Sequence, residues 1–240
     1  MAGTGTVQLI AEIGQNHNGD LALARELIRQ AKANGADVAK FQVFDARRLF
    51  PCEGNVWFDY NCRTELTRER VARLSDECRS VGIEFIASVF DVERIGWLED
   101  LGISRYKVAS RSVHDEELLT ALGLTGKPLI VSLGHWTGQD FPVIPTDAPV
   151  AFLYCVARYP AALEDLRLES IDFARYAGFS DHTPGVVAAS VALSRGARII
   201  EKHFTLDRTM YGPDHAGSMT PAELRHLADF ASEARRCLGR

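Results

Sequence analysis

Short apolar runs alternate with amphipathic runs along the whole chain, and this alternation limits the fold more strongly than any other feature. Apolar runs bounded by turn residues are typical of buried strands, and the stretches between them have helical periodicity. Strands that are joined through helices pair in parallel. Roughly eight such units predict a single α/β (β/α)8 TIM barrel over residues 1–240. An open, doubly wound sheet is the competing arrangement, although no Gly-x-Gly-x-x-Gly turn follows the first strand.

The predicted elements follow from these runs and from helix-start signals. Strands are expected at Val7–Gly14, Val38–Phe44, Glu84–Phe90, Tyr106–Ser110, Pro128–Leu133, Val150–Cys155, Gly178–His182 and Arg198–His203. Helices are expected from Asp20, over Thr67–Val81, Val92–Leu101, Asp115–Leu122 and Leu166–Tyr176, after Thr183 and Pro184, and from a capping box at Thr220. Residues 134–149 contain Pro142, Pro145 and Pro149, so the helix after the fifth strand is expected to be missing or vestigial.

The composition excludes several classes of partner. A net charge of −5 argues against binding to nucleic acid or to a membrane surface. No apolar run approaches the roughly 20 residues that span a bilayer, and the N-terminus lacks the pattern of a secretory signal. The 5 cysteines lack Cys-x-x-Cys spacing, so reduced thiols are expected. We therefore expect a cytoplasmic protein.

Polar and charged side chains, with one phenylalanine, stand at or just beyond the predicted C-terminal ends of the strands. A barrel carries its active site at that face. Lysines and hydroxyl groups together would bind a small phosphorylated carboxylate. The set comprises Glu12, Lys40, Gln42, Ser88, Phe90, Lys107, Ser110, Ser132, Tyr159, Ser180, His182, Glu201 and His203.

Two histidines, His182 and His203, close neighbouring predicted strands. Imidazoles at the same end of adjacent parallel strands can share one divalent metal and leave positions open for substrate. Glu12, Glu201 and Asp214 could hydrogen-bond sugar hydroxyls or move protons. His17, in the segment Gln15–Gly19, is interpreted as a substrate contact rather than as a loop residue.

Structural interpretations compete with these functional ones. A single histidine in a strand is more often a core residue, and either lysine could simply pair with a carboxylate. The serines could be small packing residues, and Asp214 a turn residue. The functional interpretation is favoured because so many polar groups at one level of one barrel would be costly to bury unpaired.

Motifs in the same order along nearly the whole chain resemble those of the sialic acid synthase family, the NeuB-like N-acetylneuraminate synthases. They are Ile10–Gly14, Asn16–Gly19, Ala39–Gln42, Tyr106–Ser110, Ser132–Gly134, Tyr159–Pro160, Gly178–Thr183, Glu201–Thr205 and Gly212–Asp214. The resemblance implies a transferase of carbohydrate biosynthesis that condenses phosphoenolpyruvate with an aldose, such as N-acetylmannosamine or a related sugar. Carbon 3 of phosphoenolpyruvate joins the aldehyde, water adds to carbon 2, and phosphate leaves with C–O cleavage to give a 3-deoxy-2-ulosonic acid.

The resemblance also implies residue roles. Phosphoenolpyruvate would be bound by Lys40, Ser88, Lys107, Ser110, Ser132, Tyr159 and Ser180. The sugar would be bound by Glu12, Gln42, Glu201 and Asp214, to which we add His17 and Phe90. His182 and His203 would hold Mn²⁺, with Mg²⁺ or Co²⁺ as alternatives, and Glu12, Lys107, His182 and His203 form the catalytic set. A homodimer is expected.

The sequence departs from the family pattern in ways that concern the substrates. Ala157 stands where a polar residue is usual in the donor site, and Arg158 could substitute for it. His135 and Trp136 replace a methionine after Gly134. We expect a short form without the family's C-terminal antifreeze-like domain. The acceptor need not then be N-acetylmannosamine, or a separate chain could supply the domain. The insertion Phe50–Arg63 could rebuild that wall of the pocket, or could be a hydrophobic flap or a dimer contact.

Two other functions stay open at this point. One is a non-catalytic or partner-dependent barrel that binds a sugar or phosphate, which would bind ligand without turnover. The other is a metal-dependent sugar aldolase, which would not consume phosphoenolpyruvate.

Overall fold

The computed structural model describes residues 7–237 and residue 239. Parallel strands close into a barrel in the order β1 to β8. This confirms the (β/α)8 prediction and excludes the open sheet. The strands are β1 Gln8–Gly14, β2 Val38–Val43, β3 Glu84–Val89, β4 Tyr106–Val108, β5 Leu129–Ser132, β6 Val150–Cys155, β7 Gly178–Asp181 and β8 Ile199–His203.

The helices begin and end where their capping residues permit. In α1 the Asp20 carboxylate accepts hydrogen bonds from the backbone N–H groups of Ala22 and Leu23. In α4 Thr67 caps the start, and Gly82 ends the helix in the left-handed conformation at a φ of 71°. The helices are α1 Leu21–Ala33, α2 Ala46–Leu49, α3 Phe58–Thr64, α4 Arg68–Val81, α5 Glu93–Asp100, α6 Glu116–Leu124, α7 Val187–Ser194 and α8 Pro221–Cys237.

The connection between β5 and β6 contains no helix, and all of its residues are among those described. Phe141 takes part in covering the outer face of the strands there. Its ring lies 4.6 Å from that of Phe152 and 4.9 Å from that of Tyr176, measured between centroids. An aromatic cluster therefore takes the place of a helix in this unit.

Two predicted helices were placed wrongly. Leu166–Tyr176 is not helical, because Arg167 adopts the left-handed conformation at a φ of 45° and separates two short 3₁₀ turns. The helix predicted after Thr183 and Pro184 begins only at Val187. Thr183 donates from both its backbone N–H and its hydroxyl to Asp181 Oδ1, so it belongs to a turn that Asp181 stabilises.

Inward-facing side chains form two layers, because side chains alternate between the two faces of a strand. The lower layer is apolar and fills the bottom of the barrel with Ile10, Val38, Ile86, Ile130 and Leu153. Two residues further along the same strands, the side chains become mostly polar, at Glu12, Lys40, Ser88, Ser132 and Cys155.

The strand register brings the polar side chains to one level. Glu12 lies opposite both Lys40 and His203 in its two neighbouring strands. On the other strands Ser88 pairs with Lys107, and Ser180 pairs with Glu201. The upper layer is therefore a continuous ring of polar groups directly below the C-terminal face, which is where the sequence predicted a site.

In the part of the chain that the structure describes, no helix combines the length and the apolar composition required for crossing a bilayer.

Candidate active site

The floor of the site is a buried cluster around Lys40. Its ammonium nitrogen lies 2.9 Å from Glu12 Oε2 and 3.7 Å from Glu201 Oε2. It also donates to Ser88 Oγ at 3.2 Å. Glu12 is held from its other side, because Gln42 Nε2 donates to Glu12 Oε1 at 2.8 Å. Ion pairs and hydrogen bonds thus link the side chains on the β1–β3 side of the ring.

Lys107 organises the opposite side of the floor. Its Nζ donates to Ser132 Oγ at 2.8 Å and to the Val108 carbonyl oxygen at 2.9 Å. Glu201 Oε1 lies 3.5 Å from the same nitrogen and accepts a hydrogen bond of 3.0 Å from Ser180 Oγ. Glu201 therefore contacts both lysines and links the two halves of the ring.

The charges in this cluster depend on one another. Burial alone would raise the pKa of Glu201, but Lys107 and Lys40 lower it to about 2. Burial opposes the charge of Lys40, yet Glu12 and Glu201 outweigh it and raise the Lys40 pKa. Burial prevails at Lys107 and lowers its pKa, despite the attraction of Glu201. The two ammonium groups and two carboxylates balance in formal charge.

His182 presents one nitrogen for coordination. Its Nδ1 lies 2.9 Å from the Val156 carbonyl oxygen, which can only accept, so the proton is on Nδ1 and Nε2 keeps its lone pair. Burial, followed by the neighbouring His203, lowers the pKa of His182 to about 3. The imidazole is thus neutral, as a metal ligand must be.

His203 completes a pair that fits a divalent cation. Its Nδ1 is buried without a hydrogen-bond partner among the described residues, and Asp214 Oδ2 lies 3.8 Å away. The ring centroids of His182 and His203 are 6.0 Å apart. Metal–nitrogen bonds of roughly 2.1 Å allow two imidazoles at this separation to reach one ion. No group of three or more potential ligands from His, Cys, Asp and Glu occurs in the described chain.

A cavity of about 490 Å³ lies at this face of the barrel. Six residues of the predicted set line it: Gln42, Phe90, Ser110, Tyr159, His203 and Asp214. Four further lining residues, Phe50, Asn55, Trp57 and Asn61, belong to the insertion that the sequence offered as a pocket wall. The lining residues that were not predicted are Gln15, Leu49, Ala109, Arg111, His135 and Pro213.

The other predicted residues lie deeper or elsewhere. The polar ring contains Glu12, Lys40, Ser88, Lys107, Ser132, Ser180 and Glu201, all buried. His182 packs against Tyr159, with ring centroids 4.0 Å apart. His17 is not brought to the cavity. Its Nδ1 accepts a hydrogen bond from the Gly19 backbone N–H at 3.1 Å, and its ring faces Phe41, so it stabilises its own turn.

The insertion Phe50–Arg63 supplies much of the outer wall. Phe50, Asn55, Trp57 and Asn61 line the cavity from this segment, which favours the pocket-wall interpretation over that of a flap. Trp57 packs against Tyr211 with ring centroids 5.3 Å apart, and this contact joins the insertion to the loop that follows β8.

Two results for arginines differ from the sequence-based expectation. Arg158 does not substitute for the polar group missing at Ala157, because its guanidinium pairs with Asp165 Oδ2 at 2.5 Å on the protein surface. Arg111, which was not predicted, lines the cavity. The available signal was its position directly after Ser110, at the end of a strand motif.

Comparisons with known proteins identify relatives along nearly the whole chain. The sequence model described as the NeuB family matches residues 27–240. The chain is 36% identical to the N,N'-diacetyllegionaminic acid synthase of Legionella pneumophila, over 98% of this chain and 74% of that protein. It is 31% identical to the N-acetylneuraminate-9-phosphate synthase of Homo sapiens, over 96% of this chain and 71% of that protein.

A solved structure is similar throughout. The crystal structure of the N-acetylneuraminic acid synthetase from Leptospira borgpetersenii, in complex with citrate, superposes with a TM-score of 0.93 at 31% identity. The alignment covers 99% of this chain and 87% of that one. The barrel and the strand ends that carry the polar ring therefore have a close counterpart in a solved structure.

Proposed function

Because the chain belongs to the NeuB family, we propose that it is a phosphoenolpyruvate-dependent synthase that condenses phosphoenolpyruvate with an aldose. The products are a 3-deoxy-2-ulosonic acid and phosphate. The observation that carries the proposal is the contact of Glu201 with both Lys40 and Lys107. This cluster lies below a cavity that His203 lines, and His182 is next to His203. The relatives named as legionaminic acid and N-acetylneuraminate-9-phosphate synthases support an acceptor of the N-acetylmannosamine type or a related sugar.

The donor would bind to the lysine side of the polar ring. Lys40 and Lys107 supply fixed positive charge for the phosphate and carboxylate groups, and Ser88, Ser110, Ser132 and Ser180 supply hydroxyl groups. The existing hydrogen bonds of the lysines hold them in position, so little reorganisation is required as charge shifts during the reaction. Tyr159, on the cavity wall, would close the donor site beside His182.

The acceptor would bind above the donor, against the outer wall. Gln42, Phe90 and Asp214 line the cavity there, and Gln42 connects the wall to Glu12. This arrangement would hold the aldehyde next to carbon 3 of the donor and remove much of the entropic barrier to their reaction. Glu12 and Asp214 would hold or transfer the proton that the new hydroxyl group requires.

His182 and His203 would hold the divalent ion, which we propose to be Mn²⁺, with Mg²⁺ or Co²⁺ as alternatives. When bound, such an ion supplies Lewis acidity for polarising a carbonyl oxygen. The tautomer that Val156 fixes on His182 supports this assignment, because metal-binding histidines commonly donate their second N–H to a carbonyl.

The test is turnover of the purified protein with phosphoenolpyruvate, a panel of aldoses and Mn²⁺, Mg²⁺ or Co²⁺. The proposal predicts phosphate release only when donor, an aldose and a metal are all present, together with a condensed acid detected by mass spectrometry. No release across the whole panel would reject it. Ligand binding without turnover would favour a non-catalytic barrel, and aldol cleavage without consumption of phosphoenolpyruvate would favour a sugar aldolase.

A further inference from the structure

The polar ring beneath the cavity has no excess of positive charge. Lys40 and Lys107 are balanced by Glu12 and Glu201, all within 3.7 Å of a partner. A phosphate ester carries about 1.5 to 2 negative charges near neutral pH, and phosphoenolpyruvate has a carboxylate in addition. A donor with close to three negative charges thus meets a cluster that is already neutral, and it requires further cations.

Arg111 is a cation on the cavity wall without an acidic partner. Among the described residues, no carboxylate lies within ion-pair distance of its guanidinium. Burial lowers the Arg111 pKa, and Tyr159 is the neighbouring group that acts on it in the opposite direction. An arginine stays protonated even so. Arg94, in contrast, is neutralised by Asp91 at 2.7 Å.

The side chain of Arg111 is held in place without using its hydrogen-bond donors. Its guanidinium carbon lies 5.3 Å from the centroid of the Phe50 ring, in a cation–π contact. Phe50 is itself fixed by an edge contact with Phe44, at 5.4 Å between centroids. Stacking occupies the face of the guanidinium and leaves its N–H groups available for an anion.

Arg111 stands on the donor side of the cavity. It directly follows Ser110, and both Ser110 and Tyr159 are donor-site residues in the proposed function. A side chain on Gly134 would approach Ser110 Oγ at 2.7 Å and Ala157 Cβ at 3.0 Å, so Ala157 is close to Ser110. The donor site therefore lacks a polar group on the side where Arg111 is located.

We propose that Arg111 binds an anionic oxygen of phosphoenolpyruvate and acts as a third cation of the donor site, beside the two buried lysines. The inference rests on the proposed function. It assigns to Arg111, instead of Arg158, the replacement of the polar side chain that is missing at Ala157. In this chain the polar group missing at Ala157 is replaced by a charged group on the 3₁₀ turn Ser110–Ser112, which follows β4.

Equilibrium binding of phosphoenolpyruvate, measured by calorimetry without an aldose, tests the inference independently of turnover. Arg111→Gln is expected to weaken binding by about 10- to 100-fold, the usual range for losing a hydrogen bond to a charged group. Arg111→Lys is expected to weaken it less, because the charge remains and only the planar donor set is lost. Arg158→Gln, an exposed arginine that lies outside the cavity, is the matched control and is expected to bind like the parent protein.

The possible outcomes separate the two proposals. If the parent protein binds phosphoenolpyruvate and both Arg111 variants bind it equally well, the inference is wrong and the proposed function stands. If only the KM for the aldose rises, Arg111 contacts the acceptor and the inference is also wrong. If the parent protein binds no phosphoenolpyruvate, the proposed function fails, and the inference fails with it. Should Arg111→Gln not fold, Arg111→Lys gives the same readout with a smaller expected shift.

Discussion

Lys107 Nζ lies 3.5 Å from Glu201 Oε1 inside the barrel, where both side chains are more than nine-tenths buried. Burying either charge alone would cost several kcal/mol, so each requires the other to remain ionised. Glu201 also contacts Lys40, and the three charges depend on one another. The same arrangement that stabilises the barrel keeps two ammonium groups available below the cavity.

Glu201→Gln should therefore destabilise the fold as well as the site. The substitution keeps the shape of the side chain but leaves two buried lysines with only Glu12 as a counterion, so we expect a loss of about 3–5 kcal/mol in the free energy of unfolding. Urea denaturation measures this loss. Glu164→Gln, at an exposed glutamate, is the control and should change the free energy by less than about 0.5 kcal/mol. A change below about 1 kcal/mol for Glu201→Gln would show that the cluster is not coupled as described.

His182→Ala and His203→Ala should each abolish metal-dependent turnover while the barrel stays folded. Each removes one of two imidazole ligands, so we expect the affinity for Mn²⁺ to fall by more than about 100-fold. Calorimetric titration with Mn²⁺ measures the affinity, and circular dichroism reports the fold. His226→Ala, on an exposed position of α8, is the matched control. Full Mn²⁺ affinity in either single variant would remove that histidine from the metal site.

His17 should make the fold sensitive to mild acid. Burial, followed by the charge of Arg70, lowers its pKa to about 4, so the folded protein holds a neutral imidazole, whereas the unfolded chain binds a proton near pH 6.5. Stability from this group is complete above pH 6.5 and is lost as the pH falls toward 4. We expect a loss of about 2 kcal/mol between pH 7 and pH 5.

Denaturant unfolding of the parent protein and of His17→Gln across this pH range, with metal removed, measures the effect. The other histidines titrate in both proteins, so the difference in pH dependence isolates His17. Parallel pH profiles for the two proteins would contradict the assignment of a buried neutral imidazole.

Much of the fold was predictable because the apolar residues of each strand indicate which of its positions are buried. Ile10 and Glu12 lie two positions apart on the same face of β1, the first in the apolar layer and the second in the polar layer. The barrel brings the corresponding residues of the other strands to the same two levels. The failures are local. The left-handed backbone at Arg167 and the turn that Asp181 stabilises depend on contacts that periodicity does not report.

The site was predictable as a set of residues and not as a set of distances. The sequence offered ion pairing and catalysis as alternative interpretations of Lys40 and Glu201, whereas the structure shows them as an ion pair in the polar ring, deeper than the residues that line the cavity. Arg111 was missed because its significance depends on having no acidic neighbour, which only tertiary structure reveals. The residue roles, the identity of the metal, the homodimer and the cytoplasmic location stay predictions.

The central claim is that this chain condenses phosphoenolpyruvate with an aldose, and the position of bond cleavage tests it most directly. The reaction is run in H₂¹⁸O with Mn²⁺ and an aldose that supports turnover, and mass spectrometry analyses the phosphate and the sugar acid. The account predicts unlabelled phosphate, because the C–O bond breaks and the phosphate keeps its own four oxygens, together with an equimolar amount of condensed acid. Phosphate that contains ¹⁸O, or phosphate without a condensed acid, would show simple hydrolysis and would contradict it.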